Sequence, residues 1–264
     1  TMMVAAIHAP TPPGKPEDLA QNRDRVAAYA PLVSEASARG ARVVVWPEMI
    51  LSVEASWDAA LMDQLAAIAR ATGTWQVVGV FHRDPPRNVA HVLDPRGRPS
   101  AAYQKAHPVT AMEASAPSAA PAPVVPTGHG RLGVLICNDD VFTDVARQLA
   151  RSGAQVVADP TWDWAAVAWR HAQISRVRAV ETGVSYVRAT QGGISQLIDP
   201  WGRVLAEHSV LADPRQVLVG AVPLGTGATP YARVGSLFPW LVVGLLIGLV
   251  IGVARPRRPA RPSI

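Results

Sequence analysis

Short apolar runs alternate with segments of helical spacing along most of the chain. Residues 3–8 read as a first strand. A helix follows over 17–39, where Leu19, Val26, Tyr29 or Ala30, and Val33 share a face and Gly40 supplies the stop. The run ARVVVW (41–46) reads as a buried strand, and 57–71 as a second helix closed by Gly73. Strands are expected at 76–81 and 88–93, and the turn DPRGR (94–98) leads into another ending near Tyr103. Residues 108–127, rich in Ala, Pro and Ser, read as a loop. A strand at 131–136, a helix at 141–151 and a strand at 155–158 come next, then a long helix at 165–181 and strands at 185–190 and 195–198. DPWGR (199–203) repeats the earlier turn, with strands at 204–207 and 216–222 after it. Strands and helices thus alternate in blocks, which predicts an α/β layered domain over 1–225. The paired turns suggest pseudo-two-fold symmetry.

The pattern changes near the C-terminus. Between Arg233 and Arg255 lie 21 residues without a charge. This predicts a linker at 226–233, a transmembrane helix at 234–254 and a basic cytoplasmic tail at 255–264. Tyr231 and Trp240 fall where an aromatic belt would lie, and Gly244, Gly248 and Gly252 form a smooth stripe suited to a partner transmembrane helix. The expected location is the cell membrane, with the soluble domain on the outer side. Residues 1–10 carry no signal-like basic segment, so either that orientation is wrong or earlier spans lie upstream of Thr1.

Charge modifies little else. Four arginines in 255–264 account for most of the +5 net charge, which drops to +1 without them. The basicity belongs to a tail, not a face, and argues against nucleic acid as a partner. With a single cysteine, no intrachain disulfide forms. No second His or Cys stands near His107 at ligand spacing, so neither a metal nor a cofactor is expected.

Three strand ends carry chemistry: Glu48 after VVVWP, Lys105 after AAYQ and Cys137 after VLI. Strand C-terminal ends are where open α/β sheets gather active sites. A thiol, a carboxylate and an ammonium make a coherent set for acyl transfer, as nucleophile, proton acceptor and oxyanion partner.

WPE (46–48), YQKAHP (103–108) and GVLICNDDVF (133–142) resemble the nitrilase superfamily of carbon–nitrogen hydrolases. The resemblance covers 2–223 and implies a nitrilase-like αββα sandwich, here with the C-terminal transmembrane helix appended, and a Glu48–Lys105–Cys137 triad. It also implies a nucleophile at a strand-to-helix elbow whose helix N-terminus favours the thiolate. Within the superfamily, RAVETGVSYVRATQGGISQLIDPWGRV (178–204) and Glu113, eight residues after Lys105, are similar to the apolipoprotein N-acyltransferase branch. That likeness implies a catalytic role for Glu113, a phospholipid acyl donor and a lipoprotein amine as acceptor. Asn138 and Asp139 replace the aromatic residue and glutamate usual after the cysteine, and DPTWDW (159–164) departs from Asn-Asp-x-Trp-Phe. Asp139 reads as a cap on the following helix or as a substrate contact, together with Trp162 and Trp164. Arg178 and Glu181 read as a structural pair. The alternatives are an amidase acting on a small amide and a catalytically degenerate membrane scaffold.

Overall fold

A computed structural model describes residues 1–12, 15–54, 58–110, 112–227, 229–235 and 237–254. The chain runs β1 (Met2–His8), α1 (Leu19–Ala38), β2 (Val43–Val45), β3 (Leu51–Val53), α2 (Asp58–Thr72), β4 (Trp75–Arg83), β5 (Pro86–Leu93) and β6 (Pro99–Gln104). It continues with β7 (Val124–Pro126), β8 (Arg131–Val134), a 3₁₀ turn (Cys137–Asp140), α3 (Thr143–Arg151), β9 (Val156–Trp162), α4 (Ala165–Thr182) and β10 (Ser185–Gln191). Last come β11 (Ile194–Ile198), β12 (Val204–Ser209), β13 (Gln216–Val222), α5 (Pro230–Val234) and α6 (Leu237–Ala254).

Two sheets form, in the orders β13-β1-β2-β4-β5-β6 and β7-β8-β9-β10-β11-β12, with β3 paired to β4 outside the first path. Each order reads antiparallel, parallel, parallel, antiparallel, antiparallel. The pseudo-symmetry is therefore a repeat of the whole sheet. The two repeated turns make the same bonds. Asp94 Oδ1 accepts the N–H groups of Arg96 and Arg98, and Asp199 Oδ1 those of Trp201 and Arg203.

The sheets stack face to face, with β1 against β10 and β4 against β9, while α1 packs on the first sheet and α4 on the second. Burial on both faces explains the unbroken apolar runs. In β2, Val43 and Val45 enter the core between the sheets and Val44 the core under α1. The αββα sandwich is thus present, with local differences from the sequence pattern. β9 continues to Trp162 because it pairs with β10 along its full length. The three-residue strands β3 and β7 were too short to show a period, and β7 lies inside the segment read as loop. Trp57, the expected first residue of the second helix, lies outside the described residues.

The transmembrane helix expected at 234–254 is overturned. Gly235, at φ 66°, breaks the segment, so that α5 ends at Val234 and α6 starts at Leu237. The 18 residues of α6 rise about 27 Å, short of a hydrocarbon core of ~30 Å. Among the described residues no helix is long and apolar enough to cross a membrane. The outer-side topology and the partner span rested on that helix and lose their basis with it. The basic tail at 255–264 lies outside the described residues.

Candidate active site

The C-terminal ends of β2, β8 and β9 and the segment beyond β6 line one cavity, while Lys105 is buried outside its lining. At the end of β2 the chain turns through Trp46 and Pro47 to Glu48, which is fully buried. Trp46 anchors this turn by stacking on Tyr29 at 4.9 Å and donating its indole N–H to Gln76. The turn is also tied across to the second sheet, because Glu48 N–H donates to Thr161 O and Gln191 Nε2 donates to Glu48 O. The following residue, Met49, has φ 47°. This left-handed conformation is costly for a side chain of its size and is held by the surrounding bonds.

Lys105 follows β6, with its N–H on Asn88 O. Its Nζ lies 2.7 Å from Glu48 Oε1, and both side chains are buried. Nζ also bonds Glu113 Oε1. Asn88 Nδ2 bridges the two carboxylates, at 2.7 Å from Glu48 Oε1 and 3.1 Å from Glu113 Oε2. Burial pushes the Lys105 ammonium toward neutrality, but Glu48, Cys137 and Glu113 outweigh it and hold its pKa above the usual lysine value. Glu48 Oε2 accepts the N–H of Trp162 at 2.8 Å.

Cys137 opens the 3₁₀ turn after β8 with φ 48°, the second left-handed non-glycine residue among those described. Its N–H donates to Asp159 Oδ1 at 2.9 Å, and its thiol contacts Trp162 O at 3.7 Å. The expectation that a helix N-terminus favours the thiolate is reversed. The turn here has only four residues, two of them acids, and α3 starts later, at Thr143. Burial and the Glu48 charge push the Cys137 thiol well up, and Lys105 offsets this only in part. This environment disfavours the thiolate.

Cys137, Glu48, Glu113, Trp162 and Trp164 all line a cavity of ≈ 500 Å³, which Met49, Phe81, Met112 and Val167 make largely apolar. Asp139 does not belong to its lining. It is fully buried and accepts the N–H groups of Ile136, Ala106 and His107 and the hydroxyl of Tyr103. It therefore clamps the Cys137 turn to the segment after Lys105, and its bond to the Ile136 N–H caps that 3₁₀ turn rather than α3. Burial lifts its pKa to about 6. His107 bonds Asp144 and stacks on Phe142. Arg178 and Glu181 do form an ion pair.

A second buried cluster backs the nucleophile, and no sequence signal pointed to it. Arg188 on β10, fully buried, bonds Asp159 Oδ2 at 3.2 Å and Asp163 Oδ2 at 2.5 Å. His171 on α4 bonds Asp163 Oδ1 through Nδ1 and Asp140 Oδ1 through Nε2, each at 2.7 Å. Burial and Arg188 press the imidazole toward neutrality, but the two carboxylates prevail and raise its pKa to about 9. Spacing near His107 offered no metal site. The fold, however, draws one ligand atom each from Cys137, Asp163 and His171 to within 4.8 Å of one another.

The model of the carbon-nitrogen hydrolase family matches residues 3–229. The chain belongs to the carbon–nitrogen hydrolase family. This carbon–nitrogen hydrolase is 30% identical over 250 residues to an apolipoprotein N-acyltransferase of Geobacter metallireducens, a match covering 83% of this chain and 47% of that protein. The chain thus spans about half the length of that relative. It is 27% identical over 219 residues to the deaminated glutathione amidase of Rattus norvegicus, covering 68% and 67% of the two chains. Among solved structures it resembles a Glu-to-Gln mutant of the amidase from Nesterenkonia sp. AN1, with TM-score 0.74, 25% identity and coverage of 84% and 90%. That mutant carries the acetamide moiety of fluoroacetamide on its active-site cysteine. The nitrilase-like fold is shared throughout.

Proposed function

We propose that this carbon–nitrogen hydrolase transfers an acyl group through a thioester on Cys137, from a phospholipid donor to the terminal amine of a lipoprotein. The observation that carries the reading is that Cys137 and Glu48 line the same largely apolar cavity of ≈ 500 Å³, with Glu48 paired to the buried Lys105. That size lies within the ~300–1,000 Å³ of ligand sites and suits a hydrocarbon chain. The similarity to the apolipoprotein N-acyltransferase of Geobacter metallireducens supports the same chemistry.

In this reading Glu48 takes the thiol proton as sulfur attacks the acyl carbonyl and the C–S bond forms. The disfavoured thiolate makes such a base necessary. Lys105 Nζ stabilises the oxyanion, and Glu113 and Asn88 hold that ammonium and the Glu48 carboxylate in place. Collapse breaks the carbonyl–oxygen bond of the donor, and Glu48 returns the proton to the leaving alcohol. The amine then attacks the thioester, Glu48 takes its proton, and the thiol is restored as the C–S bond breaks.

The second reading is an amidase, in which the first leaving group is an amine and water is the acceptor. It is favoured by the rat relative and by the acetamide adduct of the Nesterenkonia enzyme. Mass spectrometry separates the two. After incubation with phospholipid, Cys137 is expected to gain the mass of one acyl chain, which an amine-terminated lipopeptide removes and Cys137→Ala abolishes. An adduct from short amides but none from phospholipid would leave the amidase. No adduct from either donor class would leave a catalytically degenerate scaffold.

A further inference from the structure

We propose that Cys137, Asp163 and His171 form a binding site for one thiophilic divalent cation of the Zn²⁺ class, which caps the nucleophile. The inference is independent of the acyl-transfer reading, because it concerns a ligand set and not a reaction.

Three elements supply the ligands. Cys137 comes from the turn after β8, Asp163 from the end of β9, and His171 from α4 two turns further on. Thiolate, imidazole and carboxylate are the donor types that zinc prefers, and three protein ligands leave a fourth position open. All three residues line the cavity, so an ion entering from it reaches them without opening the fold, and the open position faces the cavity.

The bonds already made decide which atoms are free to ligate. His171 Nε2 is held by Asp140 Oδ1 at 2.7 Å, the carboxylate–histidine contact that orients metal-binding imidazoles. Asp140 is steadied in turn by Ser175 Oγ at 2.5 Å. Nδ1 is therefore the ligating nitrogen. Asp163 Oδ2 is taken by Arg188, which leaves Oδ1 toward Nδ1. Between Nδ1 and Oδ1, now 2.7 Å apart, lies a single shared proton. An ion with bonds of about 2.0–2.2 Å to N and O takes the place of that proton once the pair opens by roughly half an ångström. Binding releases this proton and the thiol proton to solvent, so the sulfur ligates as thiolate.

The charge of the cluster favours the exchange. With His171 neutral, the carboxylates of Asp140, Asp159 and Asp163 share the single guanidinium of Arg188, and ionising Cys137 adds one more negative charge. A divalent cation offsets most of that excess. The neighbouring Glu48–Lys105–Glu113 group holds two carboxylates to one ammonium and does not oppose it.

Co²⁺, added to chelator-treated full-length protein, reads the site without reference to activity. The expected result is saturable binding of one ion with a thiolate-to-Co²⁺ charge-transfer band in the near ultraviolet, and Zn²⁺ should displace it. Prior alkylation of Cys137 in the wild-type protein, with melting checked against the unmodified protein, should abolish the band. His171→Asn and Asp163→Asn should weaken Co²⁺ by at least the ~10–100-fold typical of an outer-shell loss, and Asp140→Asn by about that factor. Zn²⁺ at saturation should also slow iodoacetamide labelling of Cys137 by at least ~10-fold. Absence of the thiolate band, or Co²⁺ affinity unchanged by alkylation, would overturn the proposal. So would His171→Asn protein that melts as wild type and binds Co²⁺ as tightly.

Discussion

The backbone N–H of Cys137 donates to Asp159 Oδ1 at 2.9 Å, and the other oxygen of the same carboxylate pairs with Arg188. One buried side chain thus joins the strained nucleophile to the ionic cluster behind it. Asp159→Ala orphans a buried donor and strips Arg188 of a partner. The expected loss is about 3–5 kcal/mol, the usual cost of breaking a buried pair from one side. Asp159→Asn keeps an acceptor for the Cys137 N–H and should recover part of it. Denaturant midpoints of the three proteins check the ordering.

Glu48 acts on Cys137 in two opposite senses, which gives its removal a diagnostic sign. Its charge raises the thiol pKa, yet it is the base proposed to take the thiol proton. If Glu48 is only a neighbouring charge, Glu48→Gln populates the thiolate and speeds iodoacetamide labelling. If it is the base, labelling slows, by the ~10²–10⁴-fold typical of general-base catalysis. We expect slowing, measured as the second-order labelling rate at pH 7. An increase would count against the assignment of Glu48.

The positions of Glu48, Lys105 and Cys137 at strand ends were legible from the runs that precede them, and strand ends are where α/β sheets place reactive groups. The cluster of Asp159, Asp163, His171 and Arg188 was not. Arg188 meets Asp159 only because β9 and β10 pair in that register, which no local pattern encodes. On α4, His171, Ser175 and Arg178 recur at helical spacing and are all buried, yet polar residues so spaced look like a solvent face. Asp139 was legible as a cap, here of the 3₁₀ turn, but not as a clamp between segments. Its partners Ala106 and His107 lie in a segment distant in sequence, so only the local options of cap or contact were visible. The transmembrane expectation failed on one residue, Gly235, whose positive φ splits an uncharged run that composition treats as continuous.

His8 should make the fold sensitive to mild acid. It is buried against Tyr29, whose hydroxyl lies 3.0 Å from Nδ1. Burial, with the nearby Arg25 charge, pushes its pKa down to about 4 from the ordinary 6.5. The unfolded chain therefore takes up a proton below pH 6.5 that the folded chain refuses until about pH 4. The contribution to stability is complete above pH 6.5 and is lost as pH falls through that window, to a total of about 3 kcal/mol. His8→Gln should flatten the stability–pH profile between pH 6.5 and 4 relative to wild type. Urea unfolding at half-unit pH steps measures the slope, and equal slopes would show that His8 does not couple folding to protons.

Gly79 on β4 sets the position of Glu48 from below. A Cβ there would lie 2.4 Å from Pro47 O, 2.6 Å from Glu48 Cα and 2.8 Å from Met49 N, all backbone atoms that no rotamer change can move aside. The turn carrying Glu48 is already pinned from the other side by Thr161 and Gln191, so it cannot retreat freely. Gly79→Ala must then displace the carboxylate, lengthening its bonds to Lys105 Nζ and Trp162 N–H. The cost to the fold should be about 1–3 kcal/mol, as for other overpacked cores. The cost to the site should be larger. Iodoacetamide labelling of Cys137 should slow nearly as much as in Glu48→Gln, while thermal melting still shows one cooperative transition. Labelling at the wild-type rate in a Gly79→Ala protein would show that the placement of Glu48 does not govern the thiol.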